Sequence, residues 1–98
     1  MQIGVYIITN IANTVLYTGM STVLAYRIQT HKEKSIDGFA KKYNCTKLVY
    51  YEFCVDADAA YRRERQIKGW TRTKKEILIM HHNPKWVDLF SEINPFSS

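Results

Sequence analysis

Two phenols, one guanidinium, one imidazole and one carboxylate stand out in this chain. Tyr6 and Tyr17 sit in the middles of two short apolar runs within GVYIITNIANTVLYTGMS, Gly4 to Ser21. Further on, the helical spacing i, i+3, i+4, i+7 runs Leu24, Arg27/Ile28, His31, so Arg27 and His31 share the face of Leu24 and Ile28. A second stripe, Ala57, Ala60/Tyr61, Glu64, Ile67, is interrupted by Glu64. A carboxylate on a core-facing stripe requires a cation, hydrogen-bond donors or a metal. Each group also has an ordinary explanation. An Arg27–Glu64 ion pair would pin two helices, an Arg at a stripe edge can snorkel to water, and facing tyrosines are a common cross-strand pair. Their conjunction in one small basic chain is harder to attribute to chance.

The elements that must position these groups follow from pattern. Ile3 to Thr9 reads as a strand, Asn10 to Asn13 as a turn and Val15 to Gly19 as the return strand. With the turn centred between Ile11 and Ala12, Tyr6 should face Tyr17 directly. Both faces of the first strand are apolar, which predicts a sheet covered on both sides or a non-solvent use for the Tyr6 face. Ser21 is the expected N-cap of a helix from Thr22 to Lys32. A loop through SIDGFA, with one helical turn to Tyr43, leads to a third strand, Lys47 to Phe53. Asp56 should cap a helix over residues 57–69, and Thr73-x-x-Glu76 reads as the capping box of a helix ending near His82. Asn83-Pro84 stops it, a short helical segment spans Trp86 to Ile93, and NPFSS is tail. The order is β-β-α-β-α-α, an α+β fold (α/β in the loose sense) with a small antiparallel or mixed sheet. One domain is expected over residues 1–98, with its core at about 3–90 and a tail at 91–98.

Composition bounds the function class. The chain has 98 residues and a formal net charge of +5, which favours polyanion partners. There is no run of about 18 apolar residues, so no membrane span is expected. MQIGVYII lacks the marks of a signal peptide. Cys45 and Cys54 flank a predicted strand, whose length of roughly 30 Å is too great for a disulfide or a shared metal. Two free thiols suit a cytoplasmic setting. Tyr26, Tyr50, Tyr51, Tyr61, Trp70 and Trp86 are assigned to the core, and His81 and His82 to charge complementation at a helix C-terminus.

The motif GVY at residues 4–6 and YTG at 17–19 resembles the two halves of the GIY-YIG nuclease signature, with Gly4 and Gly19 as its structural glycines. Arg27-x-x-x-His31 is similar to that family's helix carrying the catalytic Arg, and Arg62-Arg63-Glu64-Arg65-Gln66 to the segment carrying its metal-binding Glu. QIKGWTRTKKEILI and NPKWVDL look like the small stand-alone bacterial members, whose cellular role is unassigned. The resemblance covers roughly residues 3–90. It implies a GIY-YIG fold and an endonuclease hydrolysing DNA phosphodiester bonds with one Mg²⁺ or Mn²⁺ on Glu64. By the same resemblance Arg27 stabilises the phosphate, and Tyr6 and Tyr17 handle the attacking water, with Tyr6 favoured as base and His31 taking or relaying its proton.

The implied substrate is DNA, branched or flapped, with RNA as the other polyanion, in DNA repair or recombination. A monomer is expected, with any specificity beyond DNA shape supplied by a protein partner. Lys32, Lys34, Lys41, Lys42, Arg62, Arg65, Lys68 and Arg72 are the candidate phosphate contacts. The chain departs from the family pattern in several places. Val5 and Thr18 replace Ile as packing substitutions, Met20 follows Gly19 where active members often carry Lys or another polar residue, and Glu76 stands where many carry Asn. Asn83 could replace that Asn only if the helix end folded back. These departures motivate the alternative of a nucleic-acid-binding or adaptor module with little catalysis.

Overall fold

The computed structural model describes residues 2–35 and 37–94. The central strand β1 (Gly4–Thr9) is buried along its whole length. It pairs antiparallel with β2 (Leu16–Ser21) on one side and β3 (Lys47–Phe53) on the other, in the order β2-β1-β3. The helices are α1 (Leu24–Lys32), the single turn α2 (Phe39–Lys42), α3 (Ala57–Lys68), α4 (Arg72–His82) and the single turn α5 (Phe90–Ile93). This is the expected α+β fold with a helical turn at α2, but the last segment, expected to be helical from Trp86, is helical only over Phe90–Ile93, since Trp86 adopts φ 53°. The sheet is wholly antiparallel.

Alternation along β1 sends Tyr6 and Ile8 to one face and Val5 and Ile7 to the other. Tyr6 and Ile8 pack with Leu24 and Ile28 of α1, Ala40 of α2, Leu48 and Ile93. Val5 and Ile7 pack with Val49, Tyr50, Ala60 and Ile67 of α3, and Ile79 of α4. Both faces are therefore covered, and the packed core reaches Ile93. A β-bulge makes this possible on β3. Ile7 faces Tyr50 and Ile8 faces Leu48, so Val49 is the extra residue. The buried amide of Asn83 donates to the Val49 carbonyl at 3.1 Å and to the Val87 carbonyl at 2.8 Å. That work holds Asn83 in the fold and away from any site on the Tyr6 face.

Three local expectations are corrected. The β1–β2 register pairs Tyr6 with Gly19 and Ile8 with Tyr17, two residues away from the expected facing of Tyr6 and Tyr17. The cause is a longer turn. Asn10 Oδ1 accepts from the Thr14 and Val15 amides, and Asn13 adopts φ 58°. Ser21 does not cap α1. It stays in β2, its hydroxyl accepting from Val23 N, while Gln2 supplies the cap: its carbonyl accepts from Leu24 N and its Oε1 from Ala25 N. α4 is capped by Thr71, which accepts from Lys74 N at 3.2 Å, so the helix starts two residues earlier than a Thr73 cap allows. Glu76 instead accepts from Arg72. The Asp56 cap of α3 forms as expected, on Ala59 N at 2.8 Å. Of the tail, residues 95–98 lie outside the described residues.

Cys45 and Cys54 are free, as the strand between them requires. Tyr26 and Tyr61 were expected in the core but are exposed, since each stands on the outer side of its helix. No helix among the described residues is long and apolar enough to cross a membrane.

Candidate active site

Of the candidate residues, Tyr6, Tyr17 and His31 come together around the Tyr6 hydroxyl. The Tyr6 ring lies over Gly19, where a Cβ would come within 2.4 Å of Oη. Gly19 is thus needed for the close approach of Tyr6 to β2. Gly4 is equally constrained, because a Cβ there would meet the Glu52 carbonyl oxygen at 2.0 Å. His31, buried on the inner side of α1, places Nε2 2.9 Å from Tyr6 Oη. Tyr17 completes a three-ring cluster, its centroid 6.3 Å from that of Tyr6 and 5.6 Å from that of His31. The register shift turns the two tyrosines from facing into diagonal neighbours on one face, still in ring contact.

Arg27 is half-buried on α1, and its guanidinium makes no hydrogen bond or ion pair among the described residues. Glu64 stands on α3, which packs on the Val5/Ile7 face and mainly along β2. The stripes of α1 and α3 therefore meet opposite faces of the sheet. No Arg27–Glu64 ion pair pins the helices. Glu64 is only 15% exposed, and its partner is Lys68, one turn on at 3.4 Å and 51% exposed. The Lys68 end of this i, i+4 contact is solvated and its 3.4 Å separation is long, so it is weak enough to exchange for a stronger partner.

Electrostatics tie the set together. Burial pushes the Tyr6 phenol well above its ordinary range. The neighbouring Tyr17 adds to this, Arg27 opposes it, and Glu64 raises it further. Burial, then the charge of Arg27, hold His31 below the usual imidazole value. His31 is thus neutral, and the Tyr6 O–H can donate to Nε2.

A donor set of one carboxylate suits a hard divalent ion that keeps several waters and takes phosphate oxygens from a substrate. It does not suit a closed all-protein cage, and no cluster of three or more His, Cys, Asp or Glu forms among the described residues. His81 and His82 lie in the last turn of α4, where His82 packs its ring on Tyr50.

The sequence matches the family model of the GIY-YIG catalytic domain over residues 2–77. The chain belongs to the GIY-YIG family. It is 35% identical to a UPF0213 protein of Clostridium perfringens over 79 residues, 81% of this chain and 85% of that protein. A UPF0213 protein of Desulfotalea psychrophila is 36% identical over 76 residues, 76% of this chain and 68% of that protein. One from Haloquadratum walsbyi is 33% identical over 63 residues, 64% of this chain and 71% of that protein. No solved structure matches the chain.

Within this GIY-YIG domain, six of the eight candidate phosphate contacts already have a hydrogen-bond or ion-pair partner: Lys32, Lys41 (on Asp37), Arg62, Arg65, Lys68 (on Glu64) and Arg72. Lys32 donates to the Thr46 carbonyl and pairs with Asp88, tying α1 to the segment before α5. Arg72 donates to the carbonyls of Asn13 and Thr14 and pairs with Glu76, clamping the β1–β2 turn. Arg62 and Arg65 stay near the surface of α3, beside Asp58 and Tyr61. Met20 packs its side chain against the Val5/Ile7 core, a place in which a charged residue would be buried. Thr18 Oγ1 is buried with no partner among the described residues, so the replacement of Ile by Thr is more than a change of packing. Phe39 went unnoticed in the sequence. Its ring stacks on Tyr17 at 6.2 Å, and the signal was its i, i+4 spacing to Tyr43.

Proposed function

We propose that this chain is a metal-dependent endonuclease that hydrolyses DNA phosphodiester bonds and selects DNA by shape. The observation that carries the reading is the Tyr6–His31 hydrogen bond inside the Tyr6, Tyr17, His31 ring cluster, with Arg27, unpaired among the described residues, on the same helix as His31. Glu64 would hold one divalent ion, Mg²⁺ or Mn²⁺, which when bound supplies charge stabilisation at the leaving 3′-oxygen. Arg27, with its guanidinium unengaged, binds a non-bridging oxygen of the scissile phosphate and meets the charge that develops there. Tyr17, half-buried at the edge of the cluster, orients the attacking water.

With its pKa raised, Tyr6 is hardly ionised at neutral pH, so almost no free phenolate is present to act as base. It serves instead as a relay: its oxygen accepts the proton of the water while its own proton passes to His31 Nε2. Lys34, Lys41, Lys42, Arg62, Arg65 and Lys68 supply phosphate contacts without base readout. Shape-directed cutting of this kind suits DNA repair or recombination in the cytoplasm, with a monomer acting alone or recruited by a protein partner.

The test is nicking of branched, flapped and plain duplex DNA with Mg²⁺ or Mn²⁺. Wild type should cut at least one, and Arg27→Ala should lower the rate by about 10²–10³. Glu64→Ala should abolish metal-dependent cutting. Cutting of none, or cutting by Glu64→Ala at the wild-type rate, overturns the reading. Salt-dependent binding that survives both substitutions without turnover would mark a binding module on a nuclease scaffold.

A further inference from the structure

A line of aromatic rings leads out of the candidate site. Tyr6 touches Tyr17, Tyr17 stacks on Phe39 at 6.2 Å and 25° between planes, and Phe39 meets Tyr43 at 4.7 Å. The first ring is buried, but Phe39, which opens the one-turn helix α2, and Tyr43, its C-cap, are 49% and 40% exposed. Beyond Tyr43 opens a groove of about 510 Å³, lined by Asn10, Ile11, Ala12, Lys34, Tyr43, Asn44 and Thr46.

Two features set this groove apart from a chance surface hollow. Lys34 and Asn44 each follow a helix C-cap with φ near 55°, the left-handed position that favours glycine. Lys34 thus holds a long side chain where glycine is favoured, Asn44 sits where Asn is tolerated, and both residues line the groove. Second, the Lys34 ammonium, the Asn44 amide and the Thr46 hydroxyl make no side-chain hydrogen bond among the described residues, whereas Asn10 is fully used in the turn. Lys42 lies over the Tyr43 ring at 5.4 Å, which adds positive charge at the rim.

We propose that the Phe39–Tyr43 platform and this groove form a subsite for one unpaired nucleobase of the DNA strand being cut, adjacent to the scissile phosphate. The inference rests on the nuclease reading above and names a part of the substrate for that site. Exposed aromatic faces bind bases by stacking, whatever the base, and a neighbouring cation holds the backbone. Asn44 and Thr46 offer hydrogen bonds to a base edge, and Lys34 meets the adjoining phosphate. The net charge of +5 favours this polyanion over a neutral or basic peptide.

The experiment measures binding without metal, in chelator, so that it does not depend on cleavage. The probe is a short DNA oligonucleotide with 2-aminopurine in an unpaired tract. Wild type should quench its fluorescence. Phe39→Leu and Tyr43→Leu should lose the quenching and bind about tenfold more weakly, while their affinity for a fully paired duplex stays at the wild-type level. Lys34→Gly, placed where glycine is at ease, should keep the fold and weaken the same probe several-fold. Melting curves check that each variant is folded. Absence of quenching by wild type, or quenching retained in both aromatic variants, overturns the subsite. So does an equal loss on paired duplex, or tighter binding of the matched ribose oligonucleotide. Quenching without cleavage of any substrate would overturn the nuclease reading and leave the subsite standing.

Discussion

At the scale of single residues, Gly19 and His31 govern where the Tyr6 hydroxyl sits and what it can do. An alanine at Gly19 would drive its Cβ into the Tyr6 phenol. Gly19→Ala should cost about 1–3 kcal/mol in urea unfolding and should also break the Tyr6–His31 hydrogen bond. His31 makes a pH prediction with a definite sign. Its folded-state pKa lies below the ordinary value near 6.5, so the unfolded chain binds the proton first. This contribution to stability is complete above about pH 6.5 and is lost as pH falls from there toward the folded-state value. The groups facing the imidazole are Tyr6, Tyr17 and Arg27, and none of them is an anion that would reverse the sign. Unfolding followed from pH 7.5 to 5 should show the decline, and His31→Gln should flatten it. An unchanged slope in that variant would locate the acid sensitivity elsewhere.

At the scale of elements, caps and clamps decide where helices start and how the hairpin is held. Thr71, with its hydroxyl on Lys74 N, starts α4. Thr71→Ala should therefore cost about 1 kcal/mol, whereas Thr73→Ala, on the exposed helix surface, should stay within about 0.5 kcal/mol. Equal losses would mean that the helix starts at both threonines. The early start matters because it brings Arg72 into the first turn, from which it clamps the Asn13 and Thr14 carbonyls. That clamp lies across the turn that sets the β1–β2 register, and the register places Tyr17 diagonal to Tyr6. Much of this was legible in the sequence: the three strands, the Asp56 cap and the inward stripe Leu24, Ile28, His31 all follow from residue type and period. The hairpin register was not, because the turn length depends on the side chain of Asn10 and on a left-handed Asn13. Nor was the cap of α1, which comes from Gln2, a residue distant in sequence.

At the scale of the whole molecule, a net charge of +5 says nothing of which cations are available. The fold divides them. Lys32 is tied to Asp88 and Thr46, and Arg72 to the hairpin, while Lys42 stands at the groove rim. The plot of log K against log salt for duplex binding should therefore lose about one unit of slope in Lys42→Ala. Lys32→Ala should keep the wild-type slope and show its effect as lowered stability. A slope lost in Lys32→Ala would place that lysine on the DNA path.

The sequence by itself determined the family, the order of elements and the five chemical groups. Those properties are local, written in spacing and residue type. Only the tertiary structure decided that α1 and α3 bring their polar residues to opposite faces of the sheet, that no Arg27–Glu64 ion pair forms, and that the Tyr6 hydroxyl hydrogen-bonds to His31. The reason is that periodicity fixes which side of a helix faces inward but not which face of the sheet receives it. That choice follows from connections and packing summed over the whole chain.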